Sequence, residues 1–229
     1  MEVIGQRLPA TIELALICFV VAMIAGVVAG TLAAYKPRGW ADQIISSVSV
    51  ILLALPAVWL GLLLIVIFAA TLNILPSAGR QTIGGADALV DHLRHLVLPV
   101  LTLSAGYAAT VALSVREVVV ETLAAEYIRT ARSKGLGEAA VVVQHALRNA
   151  LIPIITLAGL TLPDLLGGSV VVETVFAWPG VGQLTAESVA RRDYPVLLAV
   201  SLIVACAVLV SSLLADILYH VADPRIIYG

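Results

Sequence analysis

Charge is scarce in this 229-residue chain: Asp, Glu, Lys and Arg make up 12% of it, against about a quarter in a typical soluble domain. Lysine is almost absent, with only Lys36 and Lys134. Neither closes a Gly-rich run ending in Gly-Lys-Ser/Thr, so the chain has no phosphate cradle of its own. The net charge of −2 and the lack of a basic face with interleaved aromatics exclude nucleic acid as a partner. Cysteine is limited to Cys18 and Cys206, both inside apolar runs. That excludes a disulfide framework or a Cys-based metal site and leaves small packing residues. Ser, His and Asp occur, but nothing surrounds a serine in the manner of a nucleophile elbow, so hydrolase chemistry is unsupported. No cofactor is expected.

What the chain has in abundance is hydrophobic residues, at 61%. Five runs reach the roughly 20 apolar residues a spanning helix needs: about 10–34, 44–72, 96–115, 150–172 and 196–218. In lipid every backbone amide must be satisfied within its own segment, so these runs are expected to be helices. The fold class is therefore all-α and polytopic, with about five spans in a lipid bilayer. Met1 to Arg7 has no basic n-region, and the apolar run after it is too long for an h-region, so no cleavable signal peptide is expected.

The linkers sort by charge. Lys36, Arg38, Arg116, Arg129, Arg132, Lys134, Arg148 and Arg225 fall on one side, and Arg7, Arg80, Arg94, Arg191 and Arg192 on the other. The positive-inside rule makes the first side cytoplasmic, with the N-terminus outside and the C-terminus inside. Of the outer linkers, 73–95 is punctuated by Gly and Pro, and 173–195 contains FAWPGVG. There Trp178 suits an interfacial aromatic position, and Pro179 with Gly180 forces a turn. This segment is either a loop that ends a helix or a short packed piece closing the outer mouth of a pathway.

The inner linker EYIRTARSKGLGEAAVVVQHALRNALIP, from Glu126 to Pro153, is the most charged stretch. Residues 117–130 are expected to continue the third span as helix. Arg129, Arg132 and Lys134 crowd its end, where cations suit the helix dipole and anionic head groups. Gly135 and Gly137 permit turns that other residues resist. A second short helix is expected from about Glu138 to Leu147, with Ala139, Val142, Val143, Ala146 and Leu147 on one apolar face. It is too short to span or to stand alone. It lies on the inner leaflet or docks into a groove on a soluble partner. Ala and Val with no Lys favour the groove over the leaflet.

Within the spans, Asp164 beside Pro163 either lines a pathway or lies close enough to the outer surface to be hydrated. Pro56, with Trp59, marks a break in the second span. Gly26 and Gly30 form a small-xxx-small pair that reads as a helix-packing face. Asp91, His92 and His95 could share one helix face, but chance at a helix start explains them better than metal binding.

At the inner linker the chain resembles the inner-membrane permease subunits of ATP-binding-cassette importers, and within them the first (B-type) permease of the dipeptide, oligopeptide and nickel branch. YIRTARSKGL (127–136) followed by HALRNALIP (145–153) is similar to that branch's EAA loop. Gly135 takes the glycine position. Arg129, Thr130 and Ala131 stand where the general pattern has Glu-Ala-Ala, and His145, Ala146, Leu147 and Arg148 stand at its Ile-x-Leu-Pro. LPATIELAL (8–16), GGSVVVETVFAWPGVG (167–182), RRDYPV (191–196) and DPRIIYG (223–229) also resemble the branch, so the likeness covers nearly the whole chain. Members have a further span and an outer segment before LPAT. The resemblance thus implies a single type I importer transmembrane domain over 1–229 in which the first span is missing, either because the sequence is N-terminally incomplete or because the subunit is shortened.

The resemblance further implies a non-catalytic permease in the plasma membrane of a bacterium or archaeon. Its partners would be a second permease subunit, two ATPase subunits and an extracytoplasmic substrate-binding protein. The short inner helix would be a coupling helix seated in an ATPase cleft, with Arg129, Thr130, Ala131, Arg132, Lys134, Gly135, Gly137, Ala139, Val143, His145, Leu147 and Arg148 forming the joint. Asp164, Trp178, Pro179 and Gly180 are the pathway candidates. The rival class is a self-sufficient secondary transporter or channel, which is expected to carry inverted repeats and paired ionisable residues in several spans. Neither pattern is visible. Substrate identity is not legible: dipeptides, longer peptides, nickel chelates and glutathione are carried by relatives with nearly the same motifs.

Overall fold

The computed structural model describes residues 2–82, 88–133, 137, 141–142 and 147–222. Among them there is no strand, and eight α-helices follow one another: α1 (Glu2–Tyr35), α2 (Trp40–Ala54), α3 (Ala57–Leu64), α4 (Ala88–Ala124), α5 (Glu126–Ser133), α6 (Leu147–Val175), α7 (Val181–Arg191) and α8 (Tyr194–Ala222). α3 runs on as a π-helical stretch, Ile65–Thr71. Three helices among the described residues are long and apolar enough to cross a membrane (Glu2–Tyr35, Leu89–Ala124 and Tyr194–Leu213). Each of two bent pairs, Trp40–Ala54 with Ala57–Thr71 and Leu147–Leu165 with Ser169–Val175, makes one more span when counted together.

The expected second span does break at Pro56, which has φ −60 and ψ 136 and begins α3. Proline cannot donate to the preceding turn, and it pushes the residue before it out of the helical region. The first span begins earlier than hydropathy predicts, at Glu2, with Pro9 inside the helix. Contacts that windowed hydropathy does not weigh hold this extra length: Ile4 and Leu8 pack with Val181 and Leu184 of α7 and Val200 of α8.

α1 is apolar all round, yet its faces differ. Ile12, Leu16, Val20, Ile24, Val28 and Leu32 are exposed at helical spacing. The opposite stripe, Ala15, Cys18, Ala22, Gly26, Gly30 and Ala33, is small and buried. In lipid there is no hydrophobic drive between helices, so small residues that admit close backbone approach mark the packed face.

The chain forms two compact units. The first comprises Met1–Val21, Leu55–Ala105 and Thr161–Leu213; the second comprises Ala22–Ala54, Gly106–Leu160 and Leu214–Gly229. Both linkers assigned to the outside, 73–95 and 173–195, fall in the first unit, and the 116–149 linker in the second. In the first unit α3 approaches through Gly61, where a Cβ would meet Phe176, Val175 and Thr102 at 3.2–3.4 Å. In the second unit a core of Ala34, Val111, Val115, Val119 and Ala150 is flanked by Met23, Val27, Ile154 and Leu157. There the packing expected of Gly26 and Gly30 is realised. A Cβ on Gly26 would lie 2.6 Å from that of Val111, and one on Gly30 would lie 2.4 Å from the Ala112 carbonyl oxygen.

Candidate functional site

In the first unit the site is built around the end of α6. Ala177, at φ 45, stops the helix. The Trp178 N–H donates to the Glu173 carbonyl at 2.8 Å and the Ala177 N–H to that of Thr174 at 3.3 Å. This is a Schellman closure with alanine where glycine is usual. Gly180 then caps α7. Its φ of −100 is ordinary, so space demands the glycine: a Cβ would stand 2.3 Å from Glu173 Oε2 and 2.5 Å from Thr11 Oγ1. Gly182 is equally confined, with a Cβ 2.6 Å from Val170 Cα.

Glu173 is fully buried. It accepts hydrogen bonds from Ser169 Oγ at 2.9 Å and from the Gln183 N–H at 3.1 Å. The Val181 N–H donates to Thr11 Oγ1 at 2.8 Å. Side chains from α6 and α1 thus satisfy donors at the start of α7 that have no partner inside their own helix, and a carboxylate suits the positive end of its dipole. Arg7 Nη1 adds a bond to Gln183 Oε1 at 2.9 Å.

Trp178 is packed inside the chain. The ring is completely buried, and Nε1 donates to the Ala10 carbonyl at 2.9 Å. The segment is therefore a packed piece rather than a loose loop. Against the ring lie His92, with centroids 5.8 Å apart, and the Arg80 guanidinium, 5.9 Å from the ring centre. Glu13 of α1 holds both, through Oε2 to Arg80 Nη2 and Oε1 to His92 Nε2, each at 2.5 Å. His92 Nδ1 faces the Arg80 carbonyl at 3.0 Å. Both ring nitrogens thus face oxygen atoms. The 72–82 loop is tied down further by the Gly79 N–H, which donates to the Phe176 carbonyl at 2.8 Å. His95 and Asp91 do not join His92. His95 Nδ1 bonds to the Asp91 carbonyl at 2.8 Å, and the Asp91 carboxylate takes the N–H and hydroxyl of Thr82.

Asp164 lies on α6 and is exposed, as is Thr174, while Pro179 is half-buried. Of the pathway candidates, Trp178, Pro179 and Gly180 are consecutive and share this packed segment, while Asp164 is not among their partners; Glu13, Thr11, Arg80 and Glu173, which join the segment, were not foreseen. Glu13 and Glu173 carried a signal, being carboxylates in or at the edge of apolar runs, but their partners are far apart in the chain.

In the second unit α4 continues the third apolar run as helix and breaks at Ala125, whose N–H bonds to the Thr122 carbonyl at 3.1 Å. Arg129, Thr130, Ala131 and Arg132 sit in α5. Ile128 is fully buried. Lys134, Gly135, Ala139, Val143 and His145 lie outside the described residues. At Gly137 an added Cβ meets open space, and its carbonyl accepts the Val141 N–H at 3.1 Å. Val141 and Val142 are buried within the chain. Val142 is therefore engaged in the chain's own packing and not on a free apolar face as expected. Leu147 packs on the core of the unit, and Arg148 is exposed. Asn149 Nδ2 donates to Tyr127 Oη at 2.5 Å, which ties the two ends of the insert together.

An ion pair that sequence reasoning missed lies in the same unit. Asp42 of α2 is buried and takes Nε and Nη2 of Arg116 in a bidentate contact, the second at 2.7 Å. The Arg38 N–H at 2.7 Å and Ser46 Oγ at 3.1 Å complete its donors. Both carboxylate oxygens are thus satisfied, as a buried carboxylate requires.

A family model described as binding-protein-dependent transport system inner membrane component matches residues 26–228. The oligopeptide transport system permease protein AppB of Bacillus subtilis (strain 168) is 42% identical over 227 residues, covering 99% of this chain and 72% of that protein. The dipeptide transport system permease protein DppB of Alkalihalophilus pseudofirmus is 38% identical over 246 aligned positions, with 100% and 74% coverage. A chain of the MetNI methionine ABC transporter, in a crystal structure titled as inward facing, superimposes with a TM-score of 0.78 over 97% of each chain at 18% identity. A chain of an amino acid ABC transporter gives 0.66 at 16% identity over 96% of this chain and 94% of its own. These two likenesses bear on the fold and agree with the helix order above. The chain belongs to the family of binding-protein-dependent transport system inner membrane components.

Proposed function

We propose that this chain is one of two permease subunits in an ATP-driven importer of peptides, and that it transmits motion from separate ATPase subunits rather than hydrolysing anything itself. The observation that carries the reading is the 42% identity, sustained over 99% of the chain, to an oligopeptide permease. The segment from Glu126 to Pro153 is the joint. Arg129, Arg132 and Lys134 meet carboxylates on an ATPase, and Gly135 and Gly137 let a short helix leave α5 sharply. Ala139 and Val143 belong to its docking face. The Asn149–Tyr127 bond and the buried Ile128 support this, because a joint transmits force only when its ends are anchored. The proposed orientation puts the joint and the C-terminus in the cytoplasm, and the Trp178–Gly180 segment on the side where a substrate-binding protein delivers solute. Solute would pass Asp164. Because α1, α4 and α6 each run through both compact units, we read the chain as one domain.

The test is reconstitution. Vesicles holding this chain with its companion permease, the ATPases and the binding protein should accumulate labelled peptide only with ATP present and a competent ATPase site. Solute movement by the purified chain alone, with no nucleotide-hydrolysing subunit bound, overturns the proposal.

A further inference from the structure

Along the second half of α6 the exposed residues among those described are Asp164, Gly167, Val171 and Thr174, while Leu165, Ser169, Val172 and Glu173 are buried. The exposed set is spaced three and four residues apart, which is one face of a helix. Asp164 stands near the end of the Leu147–Leu165 limb of this bent span, about 25 Å along that limb from Leu147, a length that fits within a hydrocarbon layer ~30 Å thick. Asp164 has no hydrogen-bond or ion-pair partner among the described residues. Turned to lipid, such a carboxylate is strongly disfavoured. The face therefore borders water or another polar surface. One turn further along, an added Cβ at Gly167 meets nothing within 4 Å, so a solute can come close to the helix beside the carboxylate.

We propose that this face borders the solute route and that Asp164 is a cation subsite taking the ammonium group of the solute. For a peptide, a reading that rests on the function proposed above, that group is the α-amino terminus, which is mostly protonated near neutral pH. The same carboxylate repels the solute's own carboxylate end and so orients it amine-first against α6. A single, partly hydrated pair holds the group without trapping it, as passage requires.

The experiment uses the assembled complex in vesicles, with both permeases, the ATPases and the binding protein. Asp164→Asn should raise the KM for uptake of a free-amine peptide at least about tenfold, the range for loss of a charge-assisted hydrogen bond, in a complex that still assembles. Asp164→Glu should bring it back to within about threefold. In a Cys206→Ser background, where Cys18 is buried, Asp164→Cys should react with a water-soluble cationic thiol reagent, and saturating peptide should slow the reaction. Unchanged uptake by Asp164→Asn, or no labelling at Asp164→Cys, overturns the subsite. Loss of assembly on Asp164→Asn also overturns it, because the carboxylate then pairs with the companion subunit. Wild-type vesicles that carry no peptide at all would instead sink the substrate reading, and the ammonium assignment with it.

Discussion

Gly180 is the position where one methyl group does the most damage. Its backbone is compatible with alanine, so the objection is steric: the new Cβ would sit 2.3 Å from a buried carboxylate oxygen and 2.5 Å from the Thr11 hydroxyl. Gly180→Ala should lower stability by about 1–3 kcal/mol, as overpacking does, and show as a lower unfolding midpoint in detergent. A midpoint equal to wild type would mean that the Glu173 cradle has slack. Asp42 and Arg116 make a sharper case because each leaves the other stranded. Asp42→Asn and Arg116→Gln should each cost about 1–3 kcal/mol, the penalty for a polar group left unpaired. The double variant should cost less than the sum of the two, and an additive double-mutant cycle would show that the pair is not coupled. None of this partnering was legible beforehand. The Arg116 side chain is 74 residues from its carboxylate, Trp178 is 168 from the carbonyl it meets, and spacing along a chain carries no information at that range.

At the scale of the element, α1 and α4 meet through glycine, and the meeting was foreseeable because small residues four apart on an apolar helix have few other uses. Gly30→Val should separate α1 from α4, since the added atoms would collide with the Ala112 backbone oxygen and not with a flexible side chain. The expected result is loss of folded protein after membrane extraction, measured by size-exclusion recovery, while Gly5→Ala, with open space around it, should recover as wild type. The insert between α5 and α6 makes a different prediction. Gly135→Leu should abolish transport without reducing membrane insertion, and a Cys placed at Ala139 or Val143 should cross-link to an ATPase subunit. Normal uptake by the first, or cross-links to lipid alone by the second, would show that the segment is a surface helix and not a joint. Its existence was readable from charge and glycine placed between two apolar runs. The burial of Val141 and Val142 was not readable, because an amphipathic pattern shows that a face is covered and is silent about what covers it.

For the molecule as a whole, hydropathy and the loop charges give the number of spans and a direction, but the three-to-five span count depends on how the bent pairs are read. A cysteine near the C-terminus on a Cys206→Ser background should react with a membrane-impermeant maleimide only in inverted vesicles. Labelling in right-side-out vesicles would reverse the proposed orientation. In the first unit the ties among α1, the 72–82 loop, α4 and α6 converge on Trp178. They stiffen that end of the chain in a way that hydropathy, which scores each segment alone, does not register.

The sequence by itself determined that this protein is built for lipid, is helical and bears a charged, glycine-punctuated insert between two apolar runs. Those properties follow from composition and local periodicity, which the bilayer reads segment by segment. Only the tertiary structure decided that Trp178 is packed inside the chain, that Glu173 and Thr11 hold the start of α7, and that Asp42 closes on Arg116. It also placed Asp164 on an exposed helix face with no partner among the described residues. The physical reason is that burying or stranding a polar side chain is settled by the groups brought up against it, and those come from other helices.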